Sequence, residues 1–417
     1  MRSPNSDLDC VEIPVGRLAL GMYVAELDRP WLGTPFLFQG FYIDSAEELR
    51  LLRDICRSVR VDRARTDPSL LPTATTDADI AANCMPPNTI FKNVRASRIC
   101  TRCTMPEELS RARAVHGDLV DVVAEAMEEL RRGRVVDVDR LKSACGPLID
   151  SVDANPDALM WLASIRKKDD HMYRQSIAAA ILAVTYGRHL GLPRHALSDL
   201  AVGGLLFDVG KTKIPDDVLL KPDRLSDAEF AVYKTHVSEG LAILGRCHGV
   251  NQAVLAMVRT HHERHDGSGY DLGLRDDAIP AFGKIAGIVD AYETMVTAAA
   301  NTERHSAHDA LSYLARRRGR EFDAALVEEF IQAIGIYPTG SIVRLSDGRI
   351  GLIIEQNRMR RLQPKIMVVM DAGHQLLPAF ETVDLLTASE GPDGRPLTVV
   401  DCLEAGAYGI TAEDYYL

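Results

Sequence analysis

The 417-residue sequence has no uncharged apolar run of about 18 residues, the length that a membrane-spanning helix needs. The longest candidate, residues 175–187, is too short to cross a bilayer. The N-terminal residues MRSPNSDLDC contain no apolar segment of the kind found in secretory signal peptides. We therefore expect a cytoplasmic protein whose eight cysteines remain thiols.

Basic residues are also fewer than acidic residues. Lys and Arg number 48 against 59 Asp and Glu, which gives a net charge of −11. An acidic surface disfavours binding to a nucleic acid polymer or to anionic lipid, although it does not exclude one basic pocket for a small anion. Because 46% of the residues are hydrophobic, wholesale disorder is excluded, and the length predicts two to four domains.

Hydrophobic periodicity changes along the chain. Alternating strand patterns surround one helix that begins after Ser45, a long stretch then repeats at helical spacing, and strand patterns return near the end. Between the first two parts, proline and polar residues indicate a linker. The predicted boundaries are 8–64 for an N-terminal α/β domain, 65–105 for a linker, 106–335 for a helical region, 336–390 for a β-rich cap and 391–417 for a tail.

Histidines cluster with acidic residues inside the helical region, and eight of the twelve lie between His171 and His265. Imidazole and carboxylate together suit Fe, Mn, Zn or Ni better than Ca. Each residue alone has an ordinary structural interpretation, so only the joint pattern indicates a metal site. The candidates are Asp208 in LLFDVGKTKIP, His236 in HVSEG, His261 and His262 in HHERHDGSGYDLG, and Asp290 in GIVDAYETM.

The spacing of these candidates constrains the site. Adjacent His261 and His262 point in different directions on a helix, so both can bind one ion only at a helix end or in a loop. The nearby loop 267–269 makes such an end possible. Asp208 and Asp290 each follow an apolar stretch, and a carboxylate buried in that way needs a partner or a metal.

In order and spacing, these four motifs resemble the HD-GYP domain, the HD-superfamily phosphodiesterases that hydrolyse cyclic di-GMP. The resemblance covers residues 157–300, and residues 11–62 resemble the uncharacterised domain often fused N-terminally to HD-GYP. It implies a multidomain protein with a central all-α HD-superfamily helical bundle, a small N-terminal α/β domain and a small C-terminal β-rich cap. It also implies a divalent transition metal cofactor, either one ion or two.

The resemblance assigns roles to particular residues. One ion would bind a four-residue set, and a neighbouring ion would share Asp208 and use Asp290. Asp208 and Lys211 would be catalytic, with Lys211 contacting phosphate, and Gly269 and Tyr270 would join Lys211 in binding the ligand. The four-residue set is Asp208, His236, His261 and His262.

The sequence departs from the family where chemistry is expected. Most departures remove ligands of the neighbouring ion or contacts to the nucleotide, whereas the four-residue set is intact. The departures are Gln175 in place of the first-helix His, Phe207 in place of the His of the His-Asp pair, Asp271 in place of the proline of GYP, and 299–301 in place of an Arg-Pro-Tyr segment.

Two functions remain open at this point. The first is a regulatory or scaffold protein of bacterial cyclic di-GMP signalling, with weak or no hydrolysis, that binds cyclic di-GMP, a related nucleotide or protein partners. The second is an active phosphodiesterase on cyclic di-GMP or linear pGpG with one ion or an altered pair. His171, four residues before Gln175, either completes a weaker second site or is an exposed side chain.

Overall fold

In a computed structural model, the chain forms two compact units, residues 1–83 and 84–417. No helix in the described part of the chain is both long enough and apolar enough to span a lipid bilayer. The structure describes residues 10–28, 41–43, 45–62, 65–67, 70, 101–164, 171–221, 224–297, 305–357, 360–387, 390–391, 394–410 and 415.

The N-terminal unit is a small α/β fold, as predicted. Four antiparallel strands lie in the order β1-β4-β2-β3, and apolar side chains such as Ile13, Val24 and Leu52 form their core. The Ser45 side chain caps α1 and completes a reciprocal pair with Glu48, which fixes the helix start. The elements are β1 Cys10–Pro14, β2 Tyr23–Leu27, β3 Phe41–Tyr42, α1 Ala46–Ile55 and β4 Ser58–Asp62.

The second unit begins with a helical bundle, which confirms the predicted fold class. Its helices bury apolar stripes around a common core that includes the fully buried Trp161 and Tyr186. The helices are α2 Met105–Arg131, α3 Val138–Ala154, α4 Pro156–Ser164, α5 His171–His189, α6 Arg194–Leu206, α7 Asp216–Leu219, α8 Asp227–Lys234, α9 His236–Leu244, α10 Gln252–Thr260, α11 Ala281–Thr297, α12 Ala307–Arg317 and α13 Ala324–Ile334.

A five-stranded antiparallel sheet follows the bundle, in the order β8-β7-β6-β5-β9. A buried hydrogen bond from Thr339 Oγ1 to Asp157 Oδ1 (2.8 Å) ties the segment before the sheet to α4. The strands are β5 Ile342–Leu345, β6 Ile350–Glu355, β7 Lys365–Met370, β8 Leu376–Asp384 and β9 Val399–Leu403.

The predicted tail at 391–417 contains a strand that the sequence analysis does not identify. Strand β9 lies within it and pairs with β5, with Ile342 opposite Leu403. The sequence there, VVDCL, has only two apolar residues before an acid, so its alternation is too short to identify from pattern alone. Of the predicted linker, residues 71–100 lie outside the described residues.

Candidate metal centre

Two chain segments bring the first candidate ligands together. Helix α6 ends at Leu206, and Asp208 opens a 3₁₀ turn over residues 209–213. A Cβ atom at Gly210 would clash with the His236 carbonyl oxygen, so only glycine lets this turn pack against the start of α9. The close approach places the Asp208 carboxylate beside the His236 ring.

The second pair comes from the end of α10. This helix ends at Thr260, with His261 as its C-terminal cap residue, so His261 and His262 lie beyond the last regular turn. At this helix end the centroids of the two rings are 4.1 Å apart. The two histidines therefore lie at a helix end, where the sequence analysis expects both to be able to bind one ion.

The four side chains converge in one buried cluster. Asp208, His236, His261 and His262 each offer one ligand atom, and these atoms all lie within 4.8 Å of one another. His236 Nε2 is 3.1 Å from His262 Nε2 and 3.4 Å from His261 Nε2. Asp208 Oδ1 is 3.6 Å from the Nε2 atoms of His236 and His261. The cluster could therefore hold a metal ion.

Hydrogen bonds on the far side of two rings fix their tautomers. His236 Nδ1 lies 2.7 Å from the Tyr233 carbonyl oxygen, and His261 Nδ1 lies 2.8 Å from that of Val258. Because a carbonyl only accepts, each Nδ1 carries the proton and each Nε2 presents a lone pair to the centre. Lone pairs this close repel one another unless a cation lies between them.

Asp208 strengthens the case for a cation. Its Oδ1 atom is buried and has no hydrogen-bond partner. An unsatisfied carboxylate oxygen that faces imidazole nitrogens is a costly arrangement, and a coordinated ion removes the cost. Three nitrogens and one oxygen fit the first-row transition metals and zinc, so the residues present fit the implied cofactor.

Electrostatics favour the deprotonated ligand set that metal binding requires. Burial lowers the pKa of His236 to about 4 and holds the pKa of His262 well below its ordinary value. Burial alone would raise the pKa of Asp208, but Lys211 and the nearby imidazoles outweigh it and keep that pKa well below its usual range. Neutral imidazoles and an ionised carboxylate are the forms that bind metal ions.

Lys211 is buried beside this cluster. Its Nζ donates to Asp208 Oδ2 at 2.6 Å and lies 5.6 Å from the centre of the Tyr233 ring. Burial opposes its charge, but Asp208 overrides that effect and raises the pKa of Lys211, so the ammonium stays charged. Lys211, the predicted phosphate contact, is therefore a fixed positive charge next to the candidate metal ligands.

Asp290 stands apart from the four. It is buried on α11, but it is not part of the set whose ligand atoms all lie within 4.8 Å of one another. Its Oδ2 lies 3.5 Å from His262 Nδ1, whereas His262 Nε2 is the atom that lies 3.1 Å from His236 Nε2. Burial, and secondarily the Asp208 charge, raise the pKa of Asp290.

The predicted ligand-binding loop lies against His262. The Tyr270 ring stacks on the His262 ring with centroids 4.5 Å apart, and the Tyr270 amide donates to the His262 carbonyl oxygen at 3.2 Å. Gly269 packs on the same carbonyl. Asp271, at the position of the lost proline, has a φ of 100°.

Glu263 is a structural anchor that sequence reasoning missed. Its buried carboxylate accepts backbone hydrogen bonds from Leu272, Gly273 and Leu274 at 2.7–3.1 Å and thereby closes the loop that carries Tyr270. The available signal was its position directly after the two histidines, in a segment already predicted to form a site.

Among the positions where the sequence departs from the family pattern, Phe207 is the one that the structure places beside the cluster. It is 2% exposed, and its ring centroid is 5.0 Å from that of His261. Gln175 is half-buried on α5. The His171 side chain and residues 299–301 lie outside the described residues.

Two family models and several curated proteins are similar to this chain. A family model described as an HD domain matches residues 160–326, and one described as a domain of unknown function (DUF3391) matches residues 10–141. A cyclic di-GMP phosphodiesterase of Pseudomonas aeruginosa is 30% identical over 380 residues, which cover 91% of this chain and 89% of the relative.

Two further proteins show more limited similarity. A cyclic di-GMP phosphodiesterase response regulator of Xanthomonas campestris is 35% identical over 160 residues, which cover 38% of this chain and 41% of the relative. A solved HD-GYP-type protein from Bdellovibrio bacteriovorus covers 77% of this chain and 98% of its own, with 18% identity and a TM-score of 0.46.

Proposed function

This chain belongs to the HD-GYP family of HD-domain proteins, and we propose that it is a regulatory member with a degenerate site. In this proposal, one divalent transition metal ion binds Asp208, His236, His261 and His262. The site binds cyclic di-GMP or a related nucleotide and hydrolyses it weakly or not at all. Protein partners in cyclic di-GMP signalling would respond to the bound state.

The observation that carries the proposal is the contrast between the two sides of Asp208. On one side, its Oδ1 faces three imidazoles without a hydrogen bond. Directly before Asp208 in the sequence, Phe207 occupies the position of the expected His. The Phe207 side chain has no ligand atom and is buried against His261. The family resemblance implies a second ion at that position, and two-ion sites stabilise both the attacking and the leaving oxygen of a phosphoryl transfer.

The remaining residues support nucleotide binding. When bound, a divalent ion supplies positive charge that polarises a phosphoryl oxygen. Lys211 adds a buried ammonium that is held in place by Asp208 Oδ2. The Tyr270 ring, which stacks on the His262 ring, closes one side of the candidate site. Without the second ion, half of the expected stabilisation of transition-state charge is missing. Loss of one group that stabilises such charge lowers reaction rates by about 10²–10³-fold, so we expect the site to bind nucleotide but to hydrolyse it weakly or not at all.

Metal content is the first test. We expect one ion per chain by elemental analysis of the full-length protein, and a loss of that ion in His236→Gln. His248→Gln, which changes an exposed histidine outside the cluster, is the matched control and should keep the ion. A wild-type protein that binds no ion after dialysis against Mn²⁺, Fe²⁺ or Zn²⁺ would exclude the site.

Turnover separates the proposal from its alternative, an active phosphodiesterase on cyclic di-GMP or pGpG with one ion or an altered pair. The retention of Lys211 within 2.6 Å of Asp208 favours that alternative. The metal-loaded protein is incubated with each nucleotide, and binding is measured in parallel by calorimetry. Binding without product supports the regulatory protein, whereas product formation that His236→Gln abolishes supports the enzyme.

A further inference from the structure

Helix α8 lies on the surface beside the candidate metal centre. None of its eight residues is buried, and the Phe230 side chain is 42% exposed. A single exposed apolar side chain is ordinary on a protein surface, so exposure alone indicates no function. The groups that surround Phe230 are what distinguish it.

Two rows of aromatic rings join Phe230 to the candidate metal ligands. In one row, the Phe230 ring meets the Tyr270 ring edge-on, with centroids 6.0 Å apart, and Tyr270 stacks on His262 at 4.5 Å. In the other, Phe230 lies nearly parallel to Tyr233 at 6.3 Å, and the Tyr233 centroid is 5.1 Å from that of His236. Phe230 is therefore the exposed outer ring of an aromatic set whose inner rings are candidate metal ligands.

Two ammonium groups lie close to the same rings. Lys234 Nζ is 5.2 Å from the centre of the Phe230 ring and 5.8 Å from the centre of the Tyr270 ring. The buried Lys211 Nζ is 5.6 Å from the centre of the Tyr233 ring. In a chain whose net charge is −11, this local positive charge favours an anionic ligand. A solvent-exposed aromatic face next to positive charge is the combination that stacks the base of a bound nucleotide.

We propose that Phe230 is a stacking platform for one base of a cyclic dinucleotide whose phosphate lies at the metal ion and Lys211. Every base has a π-face, so a stacked ring contributes affinity with little preference among bases. The inference rests on the proposed function, because it requires the site to bind a cyclic dinucleotide.

Calorimetric titration of the full-length, Mn²⁺-loaded protein with cyclic di-GMP tests the platform. The variants are Phe230→Ala, Phe230→Trp and the matched control Phe380→Ala, which changes a phenylalanine of similar exposure (49%) on strand β8. Loss of one base–aromatic stack costs about 5–150-fold in affinity, so the Kd should rise by that factor in Phe230→Ala. Phe230→Trp keeps an aromatic face and should bind as the wild type does, and the control should be unchanged.

Two further probes locate the lost contact. Ribose 5-phosphate carries the sugar and the phosphate without a base, so all four proteins should bind it with equal affinity. The fluorescence of 2-aminopurine riboside 5′-monophosphate falls when its base stacks on an aromatic ring. At saturation, we expect strong quenching with the wild type and with Phe230→Trp, and weaker quenching with Phe230→Ala.

The results that would overturn the platform differ from those that would overturn the proposed function. Equal affinity of the wild type and Phe230→Ala for cyclic di-GMP would refute the platform. A parallel loss of ribose 5-phosphate or of the metal ion in Phe230→Ala would also refute it, because the ring would then support the metal centre and not a base.

Failure of the proposed function is visible in the wild type itself. A wild type that binds no cyclic di-GMP overturns the proposed function and the platform together. A wild type that hydrolyses cyclic di-GMP overturns only the regulatory role. In that case Phe230→Ala should raise the KM for cyclic di-GMP by about 5–150-fold, and an unchanged KM would refute the platform.

Discussion

The strongest test of a missing second metal site is to rebuild it with Phe207→His and Gln175→His together. The family resemblance assigns imidazoles to both positions, and Phe207 already lies with its ring centroid 5.0 Å from that of His261. We expect the double variant to bind two ions per chain where the wild type binds one. Elemental analysis after equilibrium dialysis against Mn²⁺ measures the stoichiometry.

The burial of Phe207 sets the energetic scale. Burying a phenylalanine side chain stabilises a fold by about 1.5–3 kcal/mol, and a buried imidazole without a partner costs about 1–3 kcal/mol more. The metal-free double variant should therefore unfold at lower urea concentration than the wild type. Free metal at 100 times its dissociation constant returns about 2.7 kcal/mol, so roughly half or more of the loss should be recovered when Mn²⁺ is added.

Phe330→His is the matched control for this experiment. Phe330 is 0% exposed on α13 and packs against the rings of Tyr186 and Tyr292, away from the candidate ligands. The control should lose stability, bind one ion and show no additional recovery with Mn²⁺. A folded double variant that still binds one ion would refute the assignment of Phe207 and Gln175 as lost ligand positions.

Three further predictions concern charge and loop anchoring. Burial lowers the pKa values of His116 and His236 to about 4, so the fold is favoured above pH 6.5 and loses stability as the pH falls towards 4. For each histidine, the unfolding free energy of chelator-treated protein should drop by about 2 kcal/mol between pH 8 and pH 5. If His116→Gln leaves the pH dependence of urea unfolding unchanged, the prediction for His116 is wrong. Lys211→Met leaves the Asp208 carboxylate buried without its cation and should lower the unfolding free energy of metal-free protein by about 3–5 kcal/mol in urea titrations. A loss below about 1 kcal/mol would contradict this prediction. Glu263→Gln removes the charge that binds three loop amides and should cost about 2 kcal/mol, with faster hydrogen exchange confined to that loop; protection equal to the wild type would show that the anchor is dispensable.

The sequence was informative where chemistry imposes a fixed spacing. His236, His261 and His262 could be grouped with Asp208 because each stands in a motif whose neighbours set a helix end or a turn. The structure brings these four side chains together. The small N-terminal α/β unit and the strands 342–345 and 365–370 followed from periodicity in the same way.

Other features depend on long-range geometry that spacing does not encode. The position of Asp290 beside His262 depends on the packing of α11, and the anchoring role of Glu263 depends on three backbone amides. Strand β9 takes its conformation from pairing with β5, and not from its own short pattern. Tertiary contacts decide such cases, as they do whenever local preference is weak.

The pairing of β5 with β9 has a consequence for the order in which this protein is built. Residues 342–345 leave the ribosome well before residues 399–403, so one side of β5 has no partner until the latter have been synthesised. The helical bundle, whose contacts are more local, can fold earlier. During that interval the unpaired edge of β5 is open to other strands, so the nascent chain is most vulnerable to aggregation just before β9 arrives.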